Sequence, residues 1–85
     1  MHRLFLGSRA AKALEAAPPD LRGRLAEAID SLQRDPRPPG ARKLSGALKG
    51  AYRVRVGSYR VIYRIDDHEH SVRVLALGPR RSVYR

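Results

Sequence analysis

The chain has 85 residues, no cysteine and a formal charge of +10. A chain this short buries only about 60–65% of the surface its unfolded form exposes, so its core is one layer of sheet against one layer of helix. The absence of cysteine excludes a disulfide framework and a thiolate zinc site, and no apolar run approaches the roughly 20 residues that span a bilayer. The opening stretch MHRLFLGSRAAK lacks the layout of a signal peptide. The expectation is a soluble cytoplasmic protein in which residues 1–85 form a single domain.

In chain order, HRLFL (residues 2–6) reads as a short strand. Gly7 ends it, and Ser8 is a residue type that caps helices. Ala10, Ala11, Ala13 and Leu14 form one helical stretch, which Pro18-Pro19 terminates. A second helix starts at Asp20 or the residue before it. Leu21, Leu25, Ala28, Ile29 and Leu32 recur there at helical spacing, with Arg22, Glu27, Asp30 and Arg34 opposite. So short a break between two helices predicts an antiparallel helical hairpin. Asp35-Pro36-Arg37-Pro38-Pro39-Gly40 is a proline-rich connector, and ARKLSGALKG (residues 41–50) reads as a loop. Strands are predicted at about 51–56, 59–65 and 71–77. The fold class is α+β: a small antiparallel sheet packed on an N-terminal helical hairpin, in the order β-α-α-β-β-β.

The hairpin YRVRVGSYRVIYRID (residues 52–66) carries the most information. Gly57-Ser58 is a two-residue turn, and glycine in first place suits a type II′ connection. That fixes a register in which Arg55 faces Arg60, Val54 faces Val61, Arg53 faces Ile62 and Tyr52 faces Tyr63. Tyr52, Val54, Val56, Tyr59, Val61, Tyr63 and Ile65 then share an apolar face for the helices. Arg53, Arg55, Arg60, Ile62 and Arg64 share the other. If Ile65 pairs with Val72, Arg73 joins the arginine face, with Leu75 and Leu77 as an apolar floor beside it.

Like charges opposite one another weaken a strand pair, so folding alone favours Glu or Thr at position 55 or 60. Local rules broken in this way mark functional sites. Residues 41–85 hold 11 of the basic and 3 of the acidic side chains, a concentration that favours a polyanion, most commonly nucleic acid. Arginine grips phosphate through a planar fork. In the tail LGPRRSVYR (residues 77–85), Tyr84 among Arg80, Arg81 and Arg85 is suited to stacking on a base. His68-Glu69-His70 lies in a turn without a third ligand, so no metal or other cofactor is expected. Asp66 and Asp67 read as turn residues.

KLSG, the hairpin YRVRVGSYRVIYRIDD and the terminal VLALGPRRSVYR together resemble the RelE superfamily of bacterial and archaeal toxins, with a match over nearly the whole chain. The resemblance implies a ribosome-dependent endoribonuclease that cuts translated mRNA in the A site without a metal, the ribose 2′-oxygen attacking the neighbouring phosphate. It implies a cognate antitoxin that holds the toxin inactive in a hetero-oligomer, and no membrane partner. The family's catalytic positions fall at Arg53, Arg55, Arg60, Arg80 and Tyr84. Lys43, Arg64, Arg73, Arg81 and Arg85 are expected to contact the nucleic acid. The best-known members have lysine where this chain has Arg53 and Arg55. Arginine does not act as a base, so the general base is left unassigned. Two other functions fit the sequence: a gyrase-inhibiting toxin of the ParE branch, and a non-catalytic module that binds RNA or an antitoxin.

Overall fold

The sheet grows out of one turn. Gly57 has φ 60°, the left-handed backbone that opens a type II′ hairpin and that an L side chain adopts only under strain. A side chain there would also meet Leu21 Cδ1 of the neighbouring helix at 3.1 Å. The turn joins β3 (Ala51–Val56) to β4 (Tyr59–Asp66), and every register pair is the one its two residues dictate: Val56↔Tyr59, Arg55↔Arg60, Val54↔Val61, Arg53↔Ile62 and Tyr52↔Tyr63.

The computed structural model describes residues 1–79. Before the hairpin come β1 (Arg3–Leu6), α1 (Ser8–Ala16), α2 (Pro19–Ser31), β2 (Arg42–Lys43) and a 3-10 turn at Gly46–Leu48; after it comes β5 (Ser71–Pro79). The five strands lie in the order β1-β5-β4-β3-β2. β1 runs parallel to β5, and the other neighbours are antiparallel. The sheet is therefore mixed. The helical segment between β1 and the rest returns the chain before β5 pairs alongside β1, which is what a parallel pair requires.

Both helices begin where the chain chemistry permits, with one change from expectation. Gly7 rather than Ser8 occupies the N-cap of α1, and Ser8 is the first helical residue. Gly7 is held there by its N–H donating to the Val74 carbonyl at 3.1 Å. That bond ties β1 to β5 and leaves only 3.3 Å between a Cβ at Gly7 and the same oxygen. In α2, Pro19 is the first helical residue, where its missing N–H has no intrahelical partner to lose.

One cluster forms the core: Ala10 and Ala17 from the first helical segment, Leu21, Leu25, Ile29 and Leu32 from the second, and Val56, Val61, Tyr63, Val72, Val74 and Leu77 from the sheet. Leu77 is a correction to the reading of β5. Leu75 is an extra residue in the ladder, since Ile62 pairs with Ala76 and Tyr63 with Val74. A β-bulge of this kind reverses the alternation of everything beyond it. Leu77 therefore pairs with Val61 and enters the helical core, 5% exposed, instead of joining the arginine face.

The connector from Asp35 to Gly40 is fastened to the sheet. Tyr63, fully buried, donates its hydroxyl to the Pro36 carbonyl at 2.8 Å. Arg37 Nε donates to Tyr52 Oη at 3.1 Å, and its Nη2 pairs with Asp67 Oδ2 at 3.0 Å. Burial pushes the Tyr63 phenol up to about 12, since a buried ring disfavours the phenolate. The Arg37 hydrogen bond holds the Asp67 carboxyl below its ordinary value.

Candidate nucleic-acid interface

Residues paired across a sheet share a face, so the registers lay out the outer surface row by row. The first row is Gly78–Arg60–Arg55. The second is Ala76–Ile62–Arg53–Arg42. The third is Phe5–Arg73–Arg64–Ala51, and the fourth is Arg3–Ser71–Asp66. The helices pack on the other side. Three rows thus contain two arginines in direct register: Arg55↔Arg60, Arg53↔Arg42 and Arg64↔Arg73.

The arginines differ in their surroundings. Arg42, Arg55, Arg64 and Arg73 are exposed, and Arg53 is half-buried. Arg60 is buried, at 9% exposure, where the hairpin reading placed it on an open surface. Its neighbour along the strand, Ile62, is 1% exposed yet stands outside the helical core cluster. Arg55 and Arg60 line a depression of about 240 Å³ with Gly57, Ser58 and Tyr59. Two arginines in register, one of them buried, thus border one depression at the hairpin end of the sheet.

Arg64 has a second duty. Its Nη1 donates to the Lys49 carbonyl at 3.0 Å and lies 3.0 Å from where a Cβ on Gly50 would stand. Gly50 has φ 91°, so this glycine gives the guanidinium its path to the loop. Arg64 therefore braces the turn after β2 while staying on the cationic face.

The structure brings Arg53, Arg55, Arg60, Arg64 and Arg73 together on this one face. It does not bring Lys43 there. Lys43 pairs with Tyr52, which puts it on the helical side, and its neighbour Arg42 takes the outer position. Sequence reasoning missed Arg42 because β2 is only two residues long, too short for any alternation to show. Arg80, Arg81, Tyr84 and Arg85 lie outside the described residues. His70, in the turn between β4 and β5, has φ 53°, and its ring centroid is 4.8 Å from that of His2. Among the described residues, no group of three or more His, Cys, Asp or Glu side chains has the arrangement of a metal site. No described helix is long and apolar enough to cross a membrane.

Two helices on one face of a small mixed sheet, with arginines in register on the other, define an α+β protein built around a cationic surface. A family model described as the ParE toxin of type II toxin–antitoxin systems matches residues 6–84. Toxin RelG of Mycobacterium tuberculosis is 36% identical over 73 residues, covering 85% of this chain and 83% of that protein. Among solved structures, the archaeal RelE–RelB complex from Pyrococcus horikoshii superposes with a TM-score of 0.81 at 32% identity, covering 96% of this chain and 98% of that one. The RelBE2 toxin–antitoxin complex of Mycobacterium tuberculosis gives 0.82 at 29%, covering 93% and 98%. The chain belongs to the RelE/ParE superfamily of type II toxin–antitoxin toxins.

Proposed function

We propose that this toxin is a ribosome-dependent endoribonuclease that cleaves translated mRNA in the A site and is held inactive by a cognate antitoxin. The observation that carries the reading is the three arginine–arginine register pairs on a single sheet face. Like charges in register weaken a strand pair. A ligand with closely spaced negative charges offsets that cost, and a phosphodiester chain is such a ligand. The solved relatives RelE–RelB and RelBE2 are toxin–antitoxin complexes, which supports an antitoxin partner and a hetero-oligomer for this chain.

In the proposed reaction the RNA supplies its own nucleophile. The 2′-oxygen forms a bond to the adjacent phosphorus and the bond from phosphorus to the 5′-oxygen breaks. The products are a 2′,3′-cyclic phosphate and a 5′-hydroxyl. One proton leaves the 2′-hydroxyl and one reaches the departing 5′-oxygen. Arg53, Arg55 and Arg60 stay charged throughout, so they orient the phosphate and stabilise the extra negative charge of the phosphorane-like transition state. The proton transfers fall to other groups. Arg80 and Tyr84, which the family resemblance assigns to the site, complete the set.

The matching family model bears the ParE description, and this supports a second reading, a toxin that acts on gyrase. Mapping of mRNA 5′ ends in cells expressing the toxin separates the two. New ends within translated messages are expected for the nuclease. Growth arrest with DNA damage and no new ends is expected for the gyrase branch.

A further inference from the structure

The third and fourth rows of the outer face contain a feature the cleavage reading does not use. Phe5 stands on the arginine side of β1, in register with Arg73 and two residues from Arg3. The guanidinium carbon of Arg73 lies 5.0 Å from the Phe5 ring centroid and that of Arg3 lies 5.3 Å from it. Two cations thus hold to one half-buried ring at the far edge of the sheet. Together with Arg64, Asp66 and Glu69 they line a concavity of about 530 Å³, more than twice the volume of the depression beside Arg55 and Arg60. It is a large open concavity on the face opposite the helices.

We propose that this concavity is a nucleotide subsite for single-stranded RNA, upstream or downstream of the bond that is cut. The inference rests on the nuclease reading for the identity of the polymer and extends it to a place where the strand is held. The chemistry matches a nucleotide on three sides. A guanidinium seated on an aromatic ring has a restricted orientation and presents its other face, on which a base stacks. Arg3 and Arg73, both seated on the Phe5 ring, supply positive charge for a phosphate, and Arg64, whose guanidinium reaches the Lys49 carbonyl, also lines the concavity. Asp66, Asp67 and Glu69 line it as well; Asp67 is taken up by Arg37, which leaves the carboxylates of Asp66 and Glu69 to accept hydrogen bonds from base N–H groups. Asp66 is already oriented, because its Oδ1 accepts the Glu69 N–H at 2.9 Å. A guanine edge, with adjacent N–H donors, fits a carboxylate better than the other bases do. A purely anionic or purely apolar ligand would not use all three sides.

The geometry permits one strand to occupy both places. Arg60 and Arg64 are four residues apart on β4, or about 13 Å along the strand, on the same face. An RNA crossing the sheet diagonally from Arg55 to Phe5 passes over Arg53, Arg64 and Arg73. The subsite would thereby set which nucleotide is drawn to the cleavage position.

The test uses the purified full chain and two variants, Phe5→Leu and Arg73→Gln, with unfolding midpoints measured for each. Arg73 is exposed, so the second variant reports even where the first perturbs folding. The probes are short fluorescein-labelled single-stranded RNAs, guanine-containing and guanine-free. Wild type is expected to favour the guanine-containing RNA, and each variant is expected to lose about tenfold in affinity for it with its midpoint kept. In a translation extract, Phe5→Leu is expected to cut at altered positions while Arg55→Gln cuts at the wild-type positions about a hundredfold less. Unchanged RNA affinity in both variants would overturn the subsite, even where wild type cleaves mRNA. Loss of neutralisation by the antitoxin with RNA affinity intact would also overturn it, marking the concavity as a protein interface. A tenfold loss of RNA affinity alongside a wild type that cleaves nothing would keep the subsite and remove the nuclease reading.

Discussion

The two faces of the sheet are built from alternate residues of the same strands, yet they obey opposite rules. Val54, Val56, Val61 and Tyr63 face the helices, where burial of apolar surface contributes about 25 cal/mol per Å² and each side chain is chosen for fit. Arg53, Arg55, Arg60 and Arg64 face away, where the registers place like charges opposite one another. The first face is read as stability. The second sets like charges in register, which weakens a strand pair, and under the proposed function it is the surface that meets RNA. The hairpin shows how cheaply the two are combined: one glycine turn fixes the register, and the register sorts every side chain.

The difference between the faces is sharpest under substitution. Leu25→Ala, at 0% exposure in the core cluster, is expected to cost about 3 kcal/mol in urea unfolding. Gly57→Ala strains a φ of 60° and crowds Leu21, for about 1–2 kcal/mol; because it acts on the turn, it is expected to blur both faces together. Tyr63→Phe deletes the hydrogen bond to the Pro36 carbonyl and is expected to cost about 1 kcal/mol. On the outer face, Arg55→Thr relieves a like-charge pair, so stability is expected to move by less than about 1 kcal/mol.

The pH dependence gives two finer tests. The folded Tyr63 holds its proton up to about 12, above the ordinary value of 10. Between those values the unfolded chain has lost a proton that the native chain keeps, so stability is expected to fall as pH rises through that window. Tyr63→Phe is expected to flatten the fall. Asp67 has the opposite sign. Its carboxyl is held low by Arg37, so its contribution is present above the ordinary carboxylate range and is lost as the pH drops through its folded value. Both partners are well exposed, so this is expected to be the smallest effect, and added salt is expected to reduce it further. Thermal melts of Asp67→Asn across acid pH check it.

The sequence is most legible where local chemistry decides. Gly57-Ser58 determines its turn, so the β3–β4 register follows residue by residue, and the helices follow from the spacing of Leu21, Leu25 and Ile29. It is least legible where the decision is made by a distant partner. Nothing in VRVLALG signals that Leu75 bulges, because the bulge is a property of how β5 meets β4. Leu77 changes face as a result. The parallel β1–β5 pair and the two-residue β2 likewise exist only against their neighbours, so Arg42 and the Phe5 edge stayed hidden in stretches that read as a loop and a short strand. Arg60 follows the same pattern: alternation gave its face, but its burial depends on surroundings that no periodicity encodes.

The most direct test of the account compares wild type with Arg55→Gln in cells, mapping mRNA 5′ ends and measuring the unfolding midpoint of each purified chain. Arg55 is exposed, so the variant is expected to melt with the wild type while ribosome-associated cuts fall about a hundredfold. Cuts that persist at wild-type level in a folded Arg55→Gln chain would contradict the claim that the arginine face is where RNA is cleaved.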